Sequence, residues 1–191
     1  MSKPGPLPLF QPITIDQIQP ASALLFYGGP RLTEWAGNIL YKHPYRPPAF
    51  HAAFYIWNGL FLNVGKFRTV QELSNEFRST RRIDVLTYVV QEEVRRSLCR
   101  SAFLDSSRPK VGLSFPDYSW TDFLRFGLRS LKPSKKQFCS ENVVNIFKQG
   151  AVTVSDREPV DTAPWDILEY ALANPLDVQC YTAWIGNDFK K

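Results

Sequence analysis

The chain has 191 residues, of which 44% are hydrophobic and 21% charged, and its formal net charge is +5. That length favours one domain with its own core, and that balance belongs to a soluble globular protein rather than a disordered or fibrous one. Its apolar stretches are short and broken by Arg, Glu or Pro, which excludes a membrane-spanning helix.

Residues 1–20 hold Lys3 and five of the fifteen prolines but no continuous apolar run, so they do not read as a secretory signal. They read as a proline-rich extended arm, ahead of a single domain at 21–191. The expected location is the cytoplasm, or a route of exit that needs no signal. Three cysteines, Cys99, Cys139 and Cys180, without a local spacing pattern argue against a disulfide scaffold. No CxxC and no histidine cluster occurs, so a structural zinc site is not expected, and a Cys–His acyl transfer would need no metal or organic cofactor. Only two histidines are present, His43 and His51. The basic balance suits an anionic partner without saying which, the plainer reading being a solvated basic surface.

ALLFYGG (23–29) reads as a buried strand closed by Gly28, Gly29 and Pro30. RLTEWAGNILYK (31–42) then reads as a short helix that HPYRPP (43–48) stops. AFHAAFYI (49–56), WNG (57–59) and LFLNVGKF (60–67) predict a β-hairpin. TVQELSNEFR (69–78) predicts a helix, with Thr69 as cap and Glu72 three residues on. RIDVLTYVV (82–90) is a strand, and QEEVRRSLCRSAFL (91–104) an amphipathic helix with Cys99 among its apolar positions. A loop over 105–120 leads to the helical pattern TDFLRFGLRSL (121–131) and the basic stretch KPSKKQF (132–138). CSENVVNIFKQG (139–150) predicts a helix with Val143, Val144 and Phe147 inward and Gly150 as its stop. A further helix is expected from Ala163 or Pro164, and VQCYTAWI (178–185) closes the chain as a strand. The fold class is α+β, one hairpin-rich sheet with several helices. No GxGxxG, Walker or HExxH pattern occurs.

Cys139 opens its helix, with Lys132, Lys135 and Lys136 just before it. A helix N-terminus carries partial positive charge and unpaired N–H groups, which favour a thiolate and can hold an oxyanion beside it. Cys99 and Cys180 lack that setting and read as packing. His51 starts the strand HAAFYI, where alternation groups it with Ala53 and Tyr55. His43 sits in a proline-flanked loop, where a fixed catalytic angle is harder to hold. A base needs an orienting partner, and the next strand offers Asn63. A two-residue Asn58-Gly59 turn would pair Phe54 with Asn63 and put Asn63 on the wrong face. A three-residue Trp57-Asn58-Gly59 loop pairs Ala53 with Asn63 and puts it on the face of His51. The functional reading requires the second, and that is the expectation.

HAAFYIWNGLFLN resembles the His-bearing hairpin of NlpC-type amidases. FCSENVVNIF resembles the Cys helix of the circularly permuted branch of that papain-like superfamily, which includes YiiX-like proteins and relatives of lecithin retinol acyltransferase. In that branch the His strands precede the Cys helix, as here. The resemblance covers roughly residues 20–150. It implies a papain-like fold in which the Cys helix packs on an antiparallel sheet. It implies Cys139 as nucleophile, His51 as base and Asn63 in the third position, where relatives often have Glu or another polar residue. SFPDYSW resembles the Tyr-Asp segment ahead of the Cys helix, making Tyr118 a candidate to line the substrate site. Relatives commonly have Gly-Asp in the opening strand, where this chain has Ser22 and Ala23.

The function implied is amide hydrolysis through an acyl-enzyme, first on peptidoglycan stem peptides or related amides. Such domains also occur in phage tails, so a virion component with tail-protein partners is a second setting. A lipid acyltransferase or thioesterase, and a non-catalytic interaction module, are the alternatives. Nucleic-acid binding rests on charge alone, since the Lys and Arg residues are dispersed, and no such partner is expected.

Overall fold

The computed structural model describes residues 5–6, 9–27, 45–46, 49–64, 68–76, 82–107 and 139–184. The expected helices at 31–42 and 121–131, His43, Tyr118 and the lysines at 132, 135 and 136 lie outside the described residues. Nine strands are formed by β1 (Gly5–Pro6), β2 (Gln11–Thr14), β3 (Ser22–Tyr27), β4 (Tyr45–Arg46), β5 (His51–Trp57), β6 (Leu60–Val64), β7 (Arg68–Glu72), β8 (Arg82–Tyr88) and β9 (Val178–Trp184) among the described residues. The α-helices there are α1 (Leu73–Glu76), α2 (Glu92–Ser107), α3 (Cys139–Gln149) and α4 (Pro164–Ala173).

Seven strands make one sheet in the order β2-β9-β8-β3-β5-β6-β7, and β1 pairs with β4 apart from it. The expected antiparallel sheet holds for every pair except its β2 edge, which runs parallel to β9. β2 lies within the stretch read as an arm: its residues are extended, but they belong to the sheet, and Ile13 and Ile18 enter the core.

β3 lies centrally and is buried along its whole length, which explains its unbroken SALLFY composition. Ala23, Leu25 and Tyr27 face one layer with Ala52, Phe54, Ile56 and Leu62. Leu24 and Phe26 face the other with Ala53, Tyr55, Phe61, Ile83 and Val85. The first layer receives α2, α3 and α4, whereas Leu73 of α1 joins the second. α3 presents Val143, Val144, Ile146 and Phe147 to it, and the Phe147 ring lies 5.3 Å from that of Phe54 and 4.7 Å from that of Tyr88. Burying these apolar side chains is what docks the helix, at roughly 1.5–3 kcal/mol for each large one.

The end of α3 differs in its cause from the expectation. The left-handed residue is Ala151 (φ 55), not Gly150. Val152 N–H bonds to Phe147 O at 3.1 Å and Ala151 N–H to Lys148 O at 3.1 Å, a Schellman closure. Gly150 is small for another reason: a Cβ there would come within 2.9 Å of the Leu98 side chain on α2.

The segment expected as a helix at 69–78 is also different. Residues 68–72 form β7 and extend the sheet past β6, and only Leu73–Glu76 turn helical. Thr69 and Val70 are β-branched and suit a strand, and the open edge of β6 offers partners that an isolated short helix lacks.

Candidate active site

The β5–β6 hairpin sets the geometry of the site. Trp57 pairs with Leu60 across a two-residue turn whose residues Asn58 (φ 47) and Gly59 (φ 75) are both left-handed. This is the turn preferred where the strands twist right-handedly, and it requires residues tolerant of positive φ. Two residues on, Tyr55 pairs with Phe61 and Phe54 with Leu62, so the register shifts between Tyr55 and Trp57. Ile56 is thus bulged out of the ladder. The three-residue loop of the sequence reading is corrected to a two-residue turn plus a bulge one residue upstream. Both place the extra residue on the β5 side, so the register at Asn63 is the one required. Neighbouring groups fit this arrangement. Tyr55 Oη accepts the Gly59 N–H at 2.8 Å, and the Ile56 carbonyl accepts the Cys99 thiol at 3.2 Å.

In that register His51 and Asn63 share a face, and His51 Nε2 lies 2.8 Å from Asn63 Oδ1. The carbonyl oxygen only accepts, so Nε2 carries the proton and Nδ1 the lone pair. The Asn63 Nδ2 donates to Gln71 Oε1 at 2.8 Å, and Gln71 Nε2 donates to Thr69 Oγ1 at 3.2 Å. Gln71 was not singled out from sequence, because its segment reads as helix. Read as a strand, the same residues alternate Thr69 and Gln71 onto the face of Asn63.

The His51 ring is also flanked by Phe26 and Phe50, with centroids at 5.4 and 6.3 Å. These apolar neighbours remove it from water, and the loss of solvation pushes its pKa down to about 4 against the opposing pull of the Asn63 hydrogen bond. His51 is therefore neutral at physiological pH.

Cys139 begins α3, as the sequence places it, and is buried with 3% of its surface exposed. The helix lies over the face that carries Ala52 and Phe54, whereas alternation turns His51 to the other face. The sulfur meets the strand at Ala52, the residue after His51, whose backbone hydrogen-bonds it. Among the described residues no hydrogen bond joins the sulfur directly to the imidazole. The backbone of Cys139 and Ser140 at the helix start and the Ser140 side chain also favour a thiolate, but burial outweighs all four groups and pushes the thiol up to about 11. The resting pair is a neutral thiol and a neutral imidazole, not the thiolate that the helix start alone suggests.

The helix start is fastened from below. Ser140 Oγ donates to Thr162 O at 2.6 Å, Thr162 Oγ1 donates to Glu158 O at 2.9 Å, and Asp166 Oδ2 accepts the Ala163 N–H at 2.7 Å. Ser22 is buried and bonded to Thr87 Oγ1 at 2.9 Å and Gln19 O at 2.8 Å, which ties β3 to β8.

No family model matches the chain, and no curated protein does. A solved structure does: the metalloprotein yiiX from Escherichia coli O157:H7, with a TM-score of 0.52, 14% identity, and coverage of 85% of this chain and 88% of that one. Among the described residues of this chain, no three His, Cys, Asp or Glu side chains gather as a metal would require. No helix among them is long and apolar enough to cross a membrane. The likeness in architecture is shown at that level: the chain has a YiiX-like α+β fold.

Proposed function

We propose that the protein is a cysteine hydrolase that cleaves amide bonds through an acyl-enzyme, with Cys139 as nucleophile, His51 as base and Asn63 orienting the imidazole. One observation carries this: a single strand end serves both groups. The Ala52 backbone lies against the Cys139 sulfur, and the residue before it is a histidine whose Nε2 lies 2.8 Å from Asn63 Oδ1. That leaves Nδ1 as the basic nitrogen. In the reaction, the imidazole, which alternation turns to the other face of β5, must come round the strand end to the sulfur; there the sulfur bonds to the carbonyl carbon while Nδ1 takes the thiol proton. The N–H groups at the start of α3 hold the oxyanion. The C–N bond breaks, the imidazolium gives its proton to the departing amine, and a thioester remains. Water then adds to the thioester with His51 again as base, and the acid leaves as the thiol is restored. Because both groups rest neutral, charge develops only during attack, as in a serine hydrolase.

The substrate class proposed is peptidoglycan stem peptides or related amides. This follows from the resemblance of the hairpin and Cys helix, and the carboxylates of such peptides suit a net charge of +5. The virion setting has no support among the comparisons and is not part of the proposal.

Incubation with purified peptidoglycan and mass analysis of released peptides tests it. New amine ends that disappear in Cys139→Ala and in His51→Ala are expected; intact sacculi across a range of cell-wall chemotypes would remove this substrate class. A substrate-like electrophile should label Cys139 of the native protein and not of His51→Ala. The same labelling in both would remove the pair.

A second reading, an interaction module without chemistry, is favoured by one observation, the deep burial of Cys139 and its upward-shifted thiol. It predicts that neither test gives a Cys139-dependent signal.

A further inference from the structure

The hydrogen-bond chain behind His51 has a direction, and that direction decides which imidazole nitrogen is basic. Asn63 presents an oxygen at one end of its amide and an N–H donor at the other, so a flip of that amide exchanges what the ring meets. With Oδ1 toward the ring, Nε2 must be the protonated nitrogen and Nδ1 the base. With Nδ2 toward the ring, Nδ1 would carry the proton and could accept none. Asn63 alone does not choose. Gln71 Oε1 lies 2.8 Å from Asn63 Nδ2 and accepts its N–H, and Thr69 Oγ1 in turn takes the Gln71 N–H at 3.2 Å. The strand register sets this geometry: Asn63 pairs with Thr69 and Phe61 with Gln71, so Gln71 is the diagonal neighbour of Asn63 on the ring's face.

We infer that Gln71 is a positioning residue that fixes the Asn63 amide and thereby holds His51 in the Nε2–H tautomer, with Nδ1 as its lone-pair nitrogen. This rests on the reading of His51 as the base for its catalytic meaning, but not for its test. His51 is neutral at pH 7, so a tautomer is the state to observe.

The ring-nitrogen NMR shifts of 15N-histidine-labelled protein report it directly. With only two histidines in the chain, His43→Gln leaves the signals of His51 alone. The wild-type ring is expected to show a pyrrole-type Nε2 and a pyridine-type Nδ1. Gln71→Leu is expected to move the tautomer ratio toward Nδ1–H by roughly fivefold or more, the worth of one hydrogen bond. Gln71→Glu, which keeps an acceptor, is expected to leave the ratio as in the wild type. Asn63→Asp combined with Gln71→Leu is expected to restore Nε2–H, since a carboxylate presents only acceptors. This pair also serves if Gln71→Leu alone folds poorly. An Nδ1–H ring in the wild type, or an unchanged ratio in folded Gln71→Leu, overturns the inference. Cys139-dependent cleavage is a separate readout: a locked tautomer without cleavage removes the proposed function and leaves the lock, and cleavage with an unlocked tautomer does the reverse.

Discussion

His51 Nε2 and Asn63 Oδ1 lie 2.8 Å apart because Ile56 is bulged out of the strand between them and the turn. Without that one residue the tight Asn58-Gly59 turn would carry Asn63 to the opposite face, since a shift of one residue inverts every side chain of a strand. The bulge costs a ladder position, and its freed carbonyl is taken by Cys99. Cys99 is thus a packing residue with a task in the site's geometry, held against the same strand that carries His51.

The ionisation of His51 makes acid stability a measurable consequence. Its folded pKa, about 4, lies below the ordinary 6.5 because burial disfavours the charged ring. The unfolded chain therefore binds the proton more readily between those values. The contribution of this group is fully present above pH 6.5 and is lost as pH falls from there toward 4, by up to about 3 kcal/mol. Denaturant titrations of the wild type and His51→Gln should diverge in slope against pH within that window and run parallel above it. Asn63→Asp should raise the His51 pKa by about 1–3 units, as a carboxylate beside the ring favours imidazolium. A His51 titration midpoint near 6.5 in the wild type would remove the burial effect.

The thiols yield a second expectation. Burial pushes Cys139, Cys99 and Cys180 each up to about 11. A simple alkylating agent reacts with thiolate, so native protein should alkylate slowly at neutral pH. The rate should rise about tenfold per pH unit on the way to 11 and jump on denaturation. Cys139 that alkylates at neutral pH faster in the native chain than in denaturant would show an activated thiolate and replace general-base attack by a preformed ion pair. A substrate-like electrophile differs from this agent in needing His51.

How far the sequence reveals this site depends on which interaction decides each element. The β5–β6 hairpin is legible because alternation and Asn58-Gly59 agree. The face of Asn63 is legible too, since parity depends on the number of residues and not on where the extra one sits. The bulge itself is not, because Ile56 differs from its neighbours only through tertiary contacts. Gln71 is hidden for a stronger reason: ELSNEF carries helix-forming residues, and only the unsatisfied edge of β6 makes residues 68–72 a strand. Cys139 at a helix start follows from local pattern, whereas its burial depends on how α3 docks, and that reverses the expected ionisation.

The C-terminal end of α3 offers a paired test of packing against backbone strain. Ala151 is exposed and left-handed, a conformation that glycine adopts without a Cβ penalty. Ala151→Gly should stabilise the protein by about 0.5–1 kcal/mol. Gly150→Ala should act in the opposite sense, by about 1–3 kcal/mol, because its Cβ would meet Leu98 at 2.9 Å and Val94 at 3.1 Å. Thermal melts of the two variants should move in opposite directions. If both were destabilising, the Schellman closure at Ala151 would not be the helix terminator.

The buried pair at the site's end of the sheet provides the last expectation. Asp84 is fully buried on the helix-covered face, its Oδ1 2.6 Å from Arg82 Nε and 2.9 Å from Thr182 Oγ1. Burial raises its pKa despite these partners, so desolvation is the larger effect. For a carboxyl raised in this way, stability is greatest while it is protonated and declines as pH rises through its folded pKa. Removing one partner should therefore cost more than removing both. Arg82→Met leaves a carboxylate without its cation and should destabilise by about 3–5 kcal/mol at neutral pH, with part of the loss recovered in acid as Asp84 takes a proton. Arg82→Met combined with Asp84→Leu should recover most of it at all pH values, because apolar packing needs no solvation to replace. Denaturant midpoints for the two single variants and the double variant give the coupling directly. Additive losses would mean that the 2.6 Å contact contributes nothing and that Arg82 acts through its other contacts, among them those with the Phe10 and Tyr27 rings.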